Sequence, residues 1–272
     1  MPGPAGGSNR FTKQQSARSE APIFQGFTQE TAEFLWELGF HNERPWFQEH
    51  REVYQRVLHE PFHALAETVM GQMQLRFPEE NFALHVSRIY RDARRLFGRG
   101  PYKDHLWFTV YNGDNRHTEG PMFWFELSAA TFSYGIGFFD VTPAEMEAFR
   151  GSIDANPARF ERLVTDAGKL PGFQVTGPEY RRPKKDLGPV LNQWYNRKRV
   201  GLEHVEDFDP EALGQALPEV LCCAFSHLMP LYRYFTVCSR AAAGQNSDEL
   251  RRINHGTEET AESLGRHAGL QL

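Results

Sequence analysis

Residues 82–110 decide the fold, and they read FALHVSRIYRDARRLFGRGPYKDHLWFTV. Apolar and polar residues alternate at both ends of this stretch, and a period of two is typical of a β-strand that buries one face. The alternating apolar residues are Phe82, Leu84, Val86, Leu106, Phe108 and Val110. Between them, Gly98, Gly100 and Pro101 interrupt regular structure. The stretch therefore predicts two strands joined by an irregular loop.

Two further strands are predicted downstream, at residues 122–128 and 131–139, after a glycine-rich loop at residues 113–120. Four successive strands with short links favour an antiparallel sheet. A short strand is also expected around Phe173 and Val175.

Helices are predicted before and after these strands. Thr28 is a suitable N-cap for a first helix, which Gly39 ends, and Asn42 is expected to cap a second one. That second helix should end or kink at Pro61 and then restart, because proline lacks a backbone donor. Four later helices are predicted to begin at Thr142-Pro143, Asn156-Pro157, Asp209-Pro210 and Pro218, and residues 190–199 are also expected to be helical.

Length and composition favour one soluble α+β domain. The chain has 272 residues, 40% of them hydrophobic, which is enough for a substantial core. Residues 1–21 and 241–272 are polar, and we expect a disordered arm and a flexible tail around a domain at 22–240. The expected fold is an antiparallel sheet of about four or more strands, flanked by N- and C-terminal helices.

Positive charge is concentrated in residues 88–103, where six basic residues face one acid, a net charge of +5 in a chain whose total is −5. Guanidinium groups bind planar oxyanions through paired hydrogen bonds. We therefore predict an anion pocket in which Asp92 aligns an arginine and the ligand is held by Arg88, Arg91, Arg94 and Lys103. The alternative is that Asp92 pairs with one arginine and the other cations lie in solvent.

The same segment resembles a known family. Its pattern R-x-x-R-D-x-R followed by P-Y-K is similar to the signature of the domain of unknown function 2461 family. The matching residues are Arg91, Asp92, Arg94, Pro101, Tyr102 and Lys103, with Asn42, Trp46 and Phe47 in an N-terminal block and Arg182, Pro183 and Lys184 in a later one. The chain departs from the family at Arg95, where phenylalanine is usual. The family has no established activity, so the resemblance, over residues 24–231, implies none.

Two other sets of residues are candidates for function. Asp92 and Tyr102 are possible acid–base groups, although a tyrosine after proline more often anchors its loop. Arg182 and Lys184 belong to a second basic cluster, which also contains Arg181, Lys185, Arg197, Lys198 and Arg199, with Tyr180, Trp194 and Tyr195 nearby. Such interleaving can bind nucleic acid, since aromatic rings stack on bases. A solvated basic surface is an equal alternative.

Several classes are disfavoured. His59 and His63 have helical spacing but no HExxH pattern, so no metal site is predicted. Gly135 and Gly137 lack the third glycine of a dinucleotide fingerprint. No apolar run is long enough to span a membrane, no secretory signal is evident, and three cysteines without a CxxC pair fit a cytoplasmic protein.

The best hypothesis is a protein that binds a phosphorylated metabolite or nucleic acid through residues 88–103. The alternatives are an enzyme acting on an anionic substrate and a structural or interaction module without a small ligand. The sequence identifies no cofactor and no oligomeric state.

Overall fold

The strands form one antiparallel sheet in the computed structural model, which describes residues 23–92, 94 and 98–244. The six strands are β1 Phe82–Val86, β2 His105–Asn112, β3 Pro121–Ser128, β4 Thr131–Phe138, β5 Phe173–Thr176 and β6 Gly201–Asp207. Their spatial order is β1-β2-β3-β4-β6-β5. The predicted α+β fold with an antiparallel sheet is confirmed. The predicted arm at 1–21, and residues 245–272 of the predicted tail, lie outside the described residues.

Strand β6 is the one that alternation does not predict. Its inward positions are Leu202, His204 and Glu206, since Leu202 pairs with Ile136 and His204 with Tyr134. Two of these three are polar, so the apolar period is hidden. His204 Nε2 lies 2.7 Å from a carboxylate oxygen of Glu206, which satisfies the imidazole in its buried position.

Along the chain, helices precede the first strand, separate the later strands and follow the last one. They are α1 Gln29–Phe40, α2 Arg44–Glu49, α3 Arg51–Tyr54, a π-helical segment Gln55–His59, α4 Glu60–Arg76, α5 Pro143–Ala155, α6 Pro157–Ala167, α7 Pro189–Tyr195 and α8 Leu217–Ala242. The predicted start of α5 is confirmed, because Thr142 and Glu145 form a capping box. Within the described ranges, no helix has both the length and the apolar character needed to cross a bilayer.

The structure corrects the prediction for the second helix. Glu43, not Asn42, is the N-cap of α2, and the Asn42 side chain binds the backbone of Tyr102 instead. The chain remains helical on both sides of Pro61. Pro61 lies in the first turn of α4, directly after the π-helical segment, where a missing backbone donor costs little.

Two predictions in the C-terminal half are also corrected. The helix expected at 190–199 ends at Tyr195, and Arg197 forms an isolated bridge with Glu179. Asp209-Pro210 opens a single turn rather than a helix. The Leu213 amide donates to the Asp209 carbonyl at 2.9 Å, and residues 214–216 turn the chain towards α8.

The two faces of the sheet differ in chemistry. The inner face packs against α4 and α8, and Phe123 stacks on Phe225 and Tyr232 of α8 at centroid distances of 4.8 and 5.0 Å. The opposite face, here called the outer face, is formed by the alternate residues Trp107, Thr109, Trp124, Glu126 and Glu203. Aromatic and acidic side chains are thus gathered on the side of the sheet that does not carry the core.

Candidate functional site

Trp124 lies over glycines on the neighbouring strands of the outer face. A Cβ atom added to Gly135 of β4 would stand 3.0 Å from Cζ2 of Trp124, and one added to Gly201 of β6 would stand 3.4 Å from its Cη2. Glycine inside a strand commonly marks such a close approach. The indole therefore extends from β3 across two strands and forms a flat surface.

A cavity of about 220 Å³ opens on this surface. Strand residues that line it include Trp107, Thr109, Trp124, Glu126 and Glu203, and loop residues include His117, Phe139, Gly177 and Arg199. Pockets for drug-sized ligands usually measure roughly 300–1,000 Å³. The cavity is therefore of a size for a single ring or a short chain.

Stacked aromatic rings form one wall of the cavity. His85 and His117 stack with centroids 3.7 Å apart, and the ring centre of Trp107 lies 5.2 Å from that of His85. Phe139 extends the wall and is 53% exposed. Burial, together with the charges of nearby basic groups, lowers the pKa of His85 to about 4. His85 stacks on His117 but does not itself line the cavity, and its imidazole is uncharged at neutral pH.

Two carboxyl groups lie on the cavity's floor. Glu126 follows Trp124 by two residues on β3, and Glu203 pairs with Gly135 on the far side of β4. Burial raises the pKa of Glu126 above its ordinary value, and the charge of Glu203 raises it further while His105 opposes the shift. A carboxyl group with a raised pKa is suited to donating a proton or a hydrogen bond.

Lys103 lies beside Trp107 at the edge of the cavity, and exposed Arg88 is close enough to Lys103 for its charge to act on it; neither cation lines the cavity. Lys103 Nζ is 5.6 Å from the centre of the Trp107 ring. Burial lowers the pKa of Lys103, and the positive charges of Arg88 and Arg91 lower it further. Within the described residues, neither Lys103 nor Arg88 has a carboxylate partner within 4 Å. Two cations therefore meet here without a neutralising ion pair.

Arg91 and Tyr102, in contrast, hold the loop together. Arg91 Nε donates to the Tyr102 carbonyl at 2.6 Å, and its Nη2 lies 3.2 Å from a carboxylate oxygen of Asp104. Asn42 accepts from the Tyr102 amide at 2.8 Å and donates to the Tyr102 carbonyl at 3.0 Å. The Tyr102 ring is buried and stacks on Phe47 at 4.1 Å. This geometry favours the anchoring alternative for Tyr102.

A family model matches residues 30–234, and its description is "Conserved hypothetical protein (DUF2461)". The chain belongs to the DUF2461 family. The match covers most of the chain and includes the N-terminal Asn42 block, the arginine-rich loop and the later R-x-P-K block. No curated protein matches the chain.

Within the DUF2461 signature, Asp92 and Arg94 pair with each other. Arg94 Nη2 lies 2.8 Å from Asp92 Oδ2, and the Arg94 amide also donates to Oδ1 of this carboxylate. The Arg94 side chain is 88% exposed, and neither residue lines the cavity. Asp92 thus pairs with one exposed arginine, which both the predicted anion pocket and its solvated alternative allow, so the predicted anion pocket stays a prediction. The predicted roles of Asp92 and Tyr102 in catalysis stay predictions.

The second DUF2461 block lies in the loop that precedes α7. Arg182 is exposed, and Lys184 Nζ lies 4.7 Å from the centre of the Tyr180 ring. Of the aromatic residues expected to stack on bases, Trp194 and Tyr195 are buried and cannot do so. Only Tyr180 keeps an accessible ring.

The second basic cluster is divided by the fold. Arg199 lines the outer-face cavity, and its Nη1 donates to the Phe139 carbonyl at 3.2 Å. Lys185 is held by Asp154 of α5 at 2.6 Å, in the helical layer. Arg197 donates to the Gly177 carbonyl and pairs with Glu179. The cluster therefore does not form one continuous basic track.

Sequence reasoning missed much of the cavity. Trp107, Trp124 and Glu203 were not predicted as site residues, and Arg199 was expected only as a member of the second basic cluster. The available signal was the pair Gly135 and Gly137 inside a strand, because such glycines indicate a close approach. In the described residues, no three histidine, cysteine or acidic side chains are arranged to hold a metal ion.

Proposed function

We propose that the protein binds a small anionic ligand on the outer face of its sheet, with Arg88 and Lys103 holding the anionic group. One observation carries this proposal: half-buried Lys103 lies beside Trp107, which lines the cavity, the charge of exposed Arg88 acts on it, and neither cation has an ion-pair partner among the described residues. A half-buried cation near a like charge is costly unless an anion joins them. Binding of an anion would remove that cost.

The neighbouring cavity supports a ligand with a ring. Trp107 is in contact range of Lys103 and lines the cavity, so a group held by Lys103 would continue towards the indole. The cavity's volume of about 220 Å³ suits one ring. Aromatic faces and a few polar groups are the usual lining of small-ligand sites. A phosphorylated metabolite with one ring fits this arrangement.

A small ligand is preferred to a nucleic acid. A polymer requires a positively charged track with accessible aromatic rings, and the second basic cluster is divided between the cavity and the helical layer. Trp194 and Tyr195 are buried. The cations near Lys103 are therefore better suited to a small anion than to a nucleic acid.

Catalysis at the same place is a second candidate, and Glu126 is the observation that favours it. This carboxyl group lines the cavity and has a raised pKa, as general acids commonly do. The enzyme alternative thus rests on Glu126 rather than on Asp92 or Tyr102. An untargeted screen of metabolite extracts would show turnover by the wild type that Glu126→Gln abolishes. Turnover that Glu126→Gln leaves unchanged would exclude this role.

The binding proposal is tested with a ligand panel. Inorganic phosphate, glucose 6-phosphate, AMP and citrate are added to the protein at constant ionic strength, and the melting temperature is recorded. We expect at least one phosphate ester to raise it, with an effect that Arg88→Ala weakens about tenfold in affinity, as loss of a charged hydrogen bond would. Lys169→Ala is the matched control, because Lys169 follows α6 and pairs only with Asp166. If none of the four probes binds, the proposal is wrong.

We place this activity in the cytoplasm. None of the three cysteines forms a disulfide bond, which suits a reducing compartment. Fractionation of cells that express the full chain tests this placement.

A further inference from the structure

Arg150 is a buried cation with an unused hydrogen-bond donor. It lies on α5, its relative exposure is 8%, and its Nη1 atom has no hydrogen-bond partner among the described residues. Arginine is almost never fully buried unless it is paired. A buried guanidinium nitrogen without a partner destabilises the folded protein, and an acceptor that binds there would remove this cost.

Two lysines join Arg150 around one aromatic ring. The guanidinium carbon of Arg150 lies 5.9 Å from the ring centre of Tyr180, Lys184 Nζ lies 4.7 Å from it, and Lys198 Nζ lies 5.9 Å from it. We call these four residues the Tyr180 cluster. None of its three cations forms an ion pair within 4 Å to a described residue. Three positively charged groups thus lie within 5.9 Å of the centre of one aromatic ring.

The backbone that carries the cluster is held in place by Asn196. Its Oδ1 accepts from the amides of Lys184 and Lys185 at 2.7 and 3.3 Å, and its Nδ2 donates to the Lys185 carbonyl at 2.9 Å. The Tyr180 amide donates to the Asn196 carbonyl at 3.0 Å. Asn196 is itself buried. A site on such a fixed loop is preorganised, which lowers the cost of binding.

The nearest carboxylate does not neutralise the cluster. Asp154 lies one turn after Arg150 on α5, and the charge of Arg150 contributes to its lowered pKa, after the hydrogen bonds from Lys185 and Tyr195. Its two oxygens bind Lys185 Nζ at 2.6 Å and the Tyr195 hydroxyl at 2.9 Å. Asp154 is therefore occupied by two other donors, and Nη1 of Arg150 remains without an acceptor.

We propose that the Tyr180 cluster is a second anion site, which binds the phosphoryl group of a small phosphate ester. A phosphoryl group carries a charge of about −1.5 to −2 and three acceptor oxygens. Three separate cations match that number, whereas a carboxylate is satisfied by one guanidinium. This site is independent of the outer-face cavity, since Arg150 belongs to the helical layer, where α5 packs on α8.

Inorganic phosphate and glycerol 3-phosphate are the probes, and they distinguish a free phosphate site from a phosphate-ester site. Each is titrated by calorimetry at constant ionic strength into the full chain that carries Lys103→Ala, so that the outer-face site does not contribute. On this background we expect saturable binding that Lys184→Met and Lys198→Met each weaken roughly tenfold or more, while Lys169→Ala leaves it unchanged. Tighter binding of glycerol 3-phosphate than of inorganic phosphate would assign an ester. Equal binding would overturn the ester assignment.

Arg150→Met removes the buried donor and is read together with the lysine variants, because a buried residue can also affect folding. We expect Arg150→Met to abolish phosphate binding in protein that keeps the wild-type circular dichroism spectrum. If this variant does not fold, the two lysine variants decide alone. Absence of phosphate binding on the Lys103→Ala background, or binding there that survives both lysine substitutions, would overturn the proposal. Since Lys103→Ala is present throughout, failure here leaves the outer-face proposal standing.

Discussion

Lys103 Nζ lies 5.6 Å from the centre of the Trp107 indole, beside the cavity on the outer face of the sheet. The two residues flank the start of β2, where alternate side chains point to the same face. This relationship joins the arginine-rich loop to the cavity. Two groups of cations can be distinguished in the loop. Arg91 holds the loop together, whereas Arg88 and Lys103 have no ion-pair partner among the described residues.

Arg91 belongs to the first group, and its removal should destabilise the protein. We expect Arg91→Ala to lower the free energy of unfolding by about 1.5–3 kcal/mol, because it loses charged hydrogen bonds to the Tyr102 carbonyl and Asp104. Urea denaturation measures the loss. Arg94→Ala is the control and should change stability far less, since its pair with Asp92 is exposed to solvent. Equal losses in the two variants would contradict this division.

Asn42 should matter for stability although it caps no helix. Its side chain binds both the amide and the carbonyl of Tyr102, so Asn42→Ala leaves the amide without its acceptor and the carbonyl with Arg91 as its remaining donor. We expect a loss of about 2 kcal/mol in the free energy of unfolding. The exposed Gln48 of α2 is the matched control, and Gln48→Ala should cost less than about 0.5 kcal/mol. A small effect at Asn42 would mean that the loop is held by other contacts.

Glu126→Gln should stabilise the protein at neutral pH. The pKa of Glu126 is raised in the folded state, so its ionisation opposes folding above that pKa and has no effect below its ordinary value of 4.5. We expect a gain on the order of 1 kcal/mol at pH 7–8, as for other stabilising substitutions, which disappears near pH 4. Thermal unfolding across this range provides the measurement. A destabilised variant at pH 8 would show that the carboxylate is paired instead.

His85 should make stability depend on pH between 4 and 6.5. Its folded-state pKa is about 4 and its ordinary value is 6.5, so the unfolded chain takes up the proton first. Stability contributed by the neutral imidazole is therefore lost as the pH falls from 6.5 towards 4. His85→Gln should flatten this part of the melting curve against pH. Parallel curves for His85→Gln and the wild type would refute the assignment.

Much of the fold follows from local patterns in the sequence. The strands β1 to β4 have clear alternation, and α5 and α6 have caps with proline in the first turn, so their positions are predictable. The failures have physical causes. Asn42 has the chemistry of a cap but is used by a loop sixty residues away, and β6 places His204 and Glu206 on its inward face. Such contacts depend on the tertiary structure.

The site is less predictable than the fold. The charge of residues 88–103 indicates a basic segment, yet it does not separate Arg91, which binds Tyr102 and Asp104, from Arg88 and Lys103. The cavity joins residues from β2, β3, β6 and the loop after β5, and their proximity follows from the order of the strands. No short sequence motif contains it.

Lys103→Ala is the most direct test of the central claim, because it separates a binding site from a structural clasp. Stability is measured by urea denaturation, and binding by the rise in melting temperature with whichever of inorganic phosphate, glucose 6-phosphate, AMP or citrate stabilises the wild type. We predict a change of less than about 1 kcal/mol in the free energy of unfolding, together with loss of most of the ligand's effect. A loss of several kcal/mol with ligand binding intact would contradict the account.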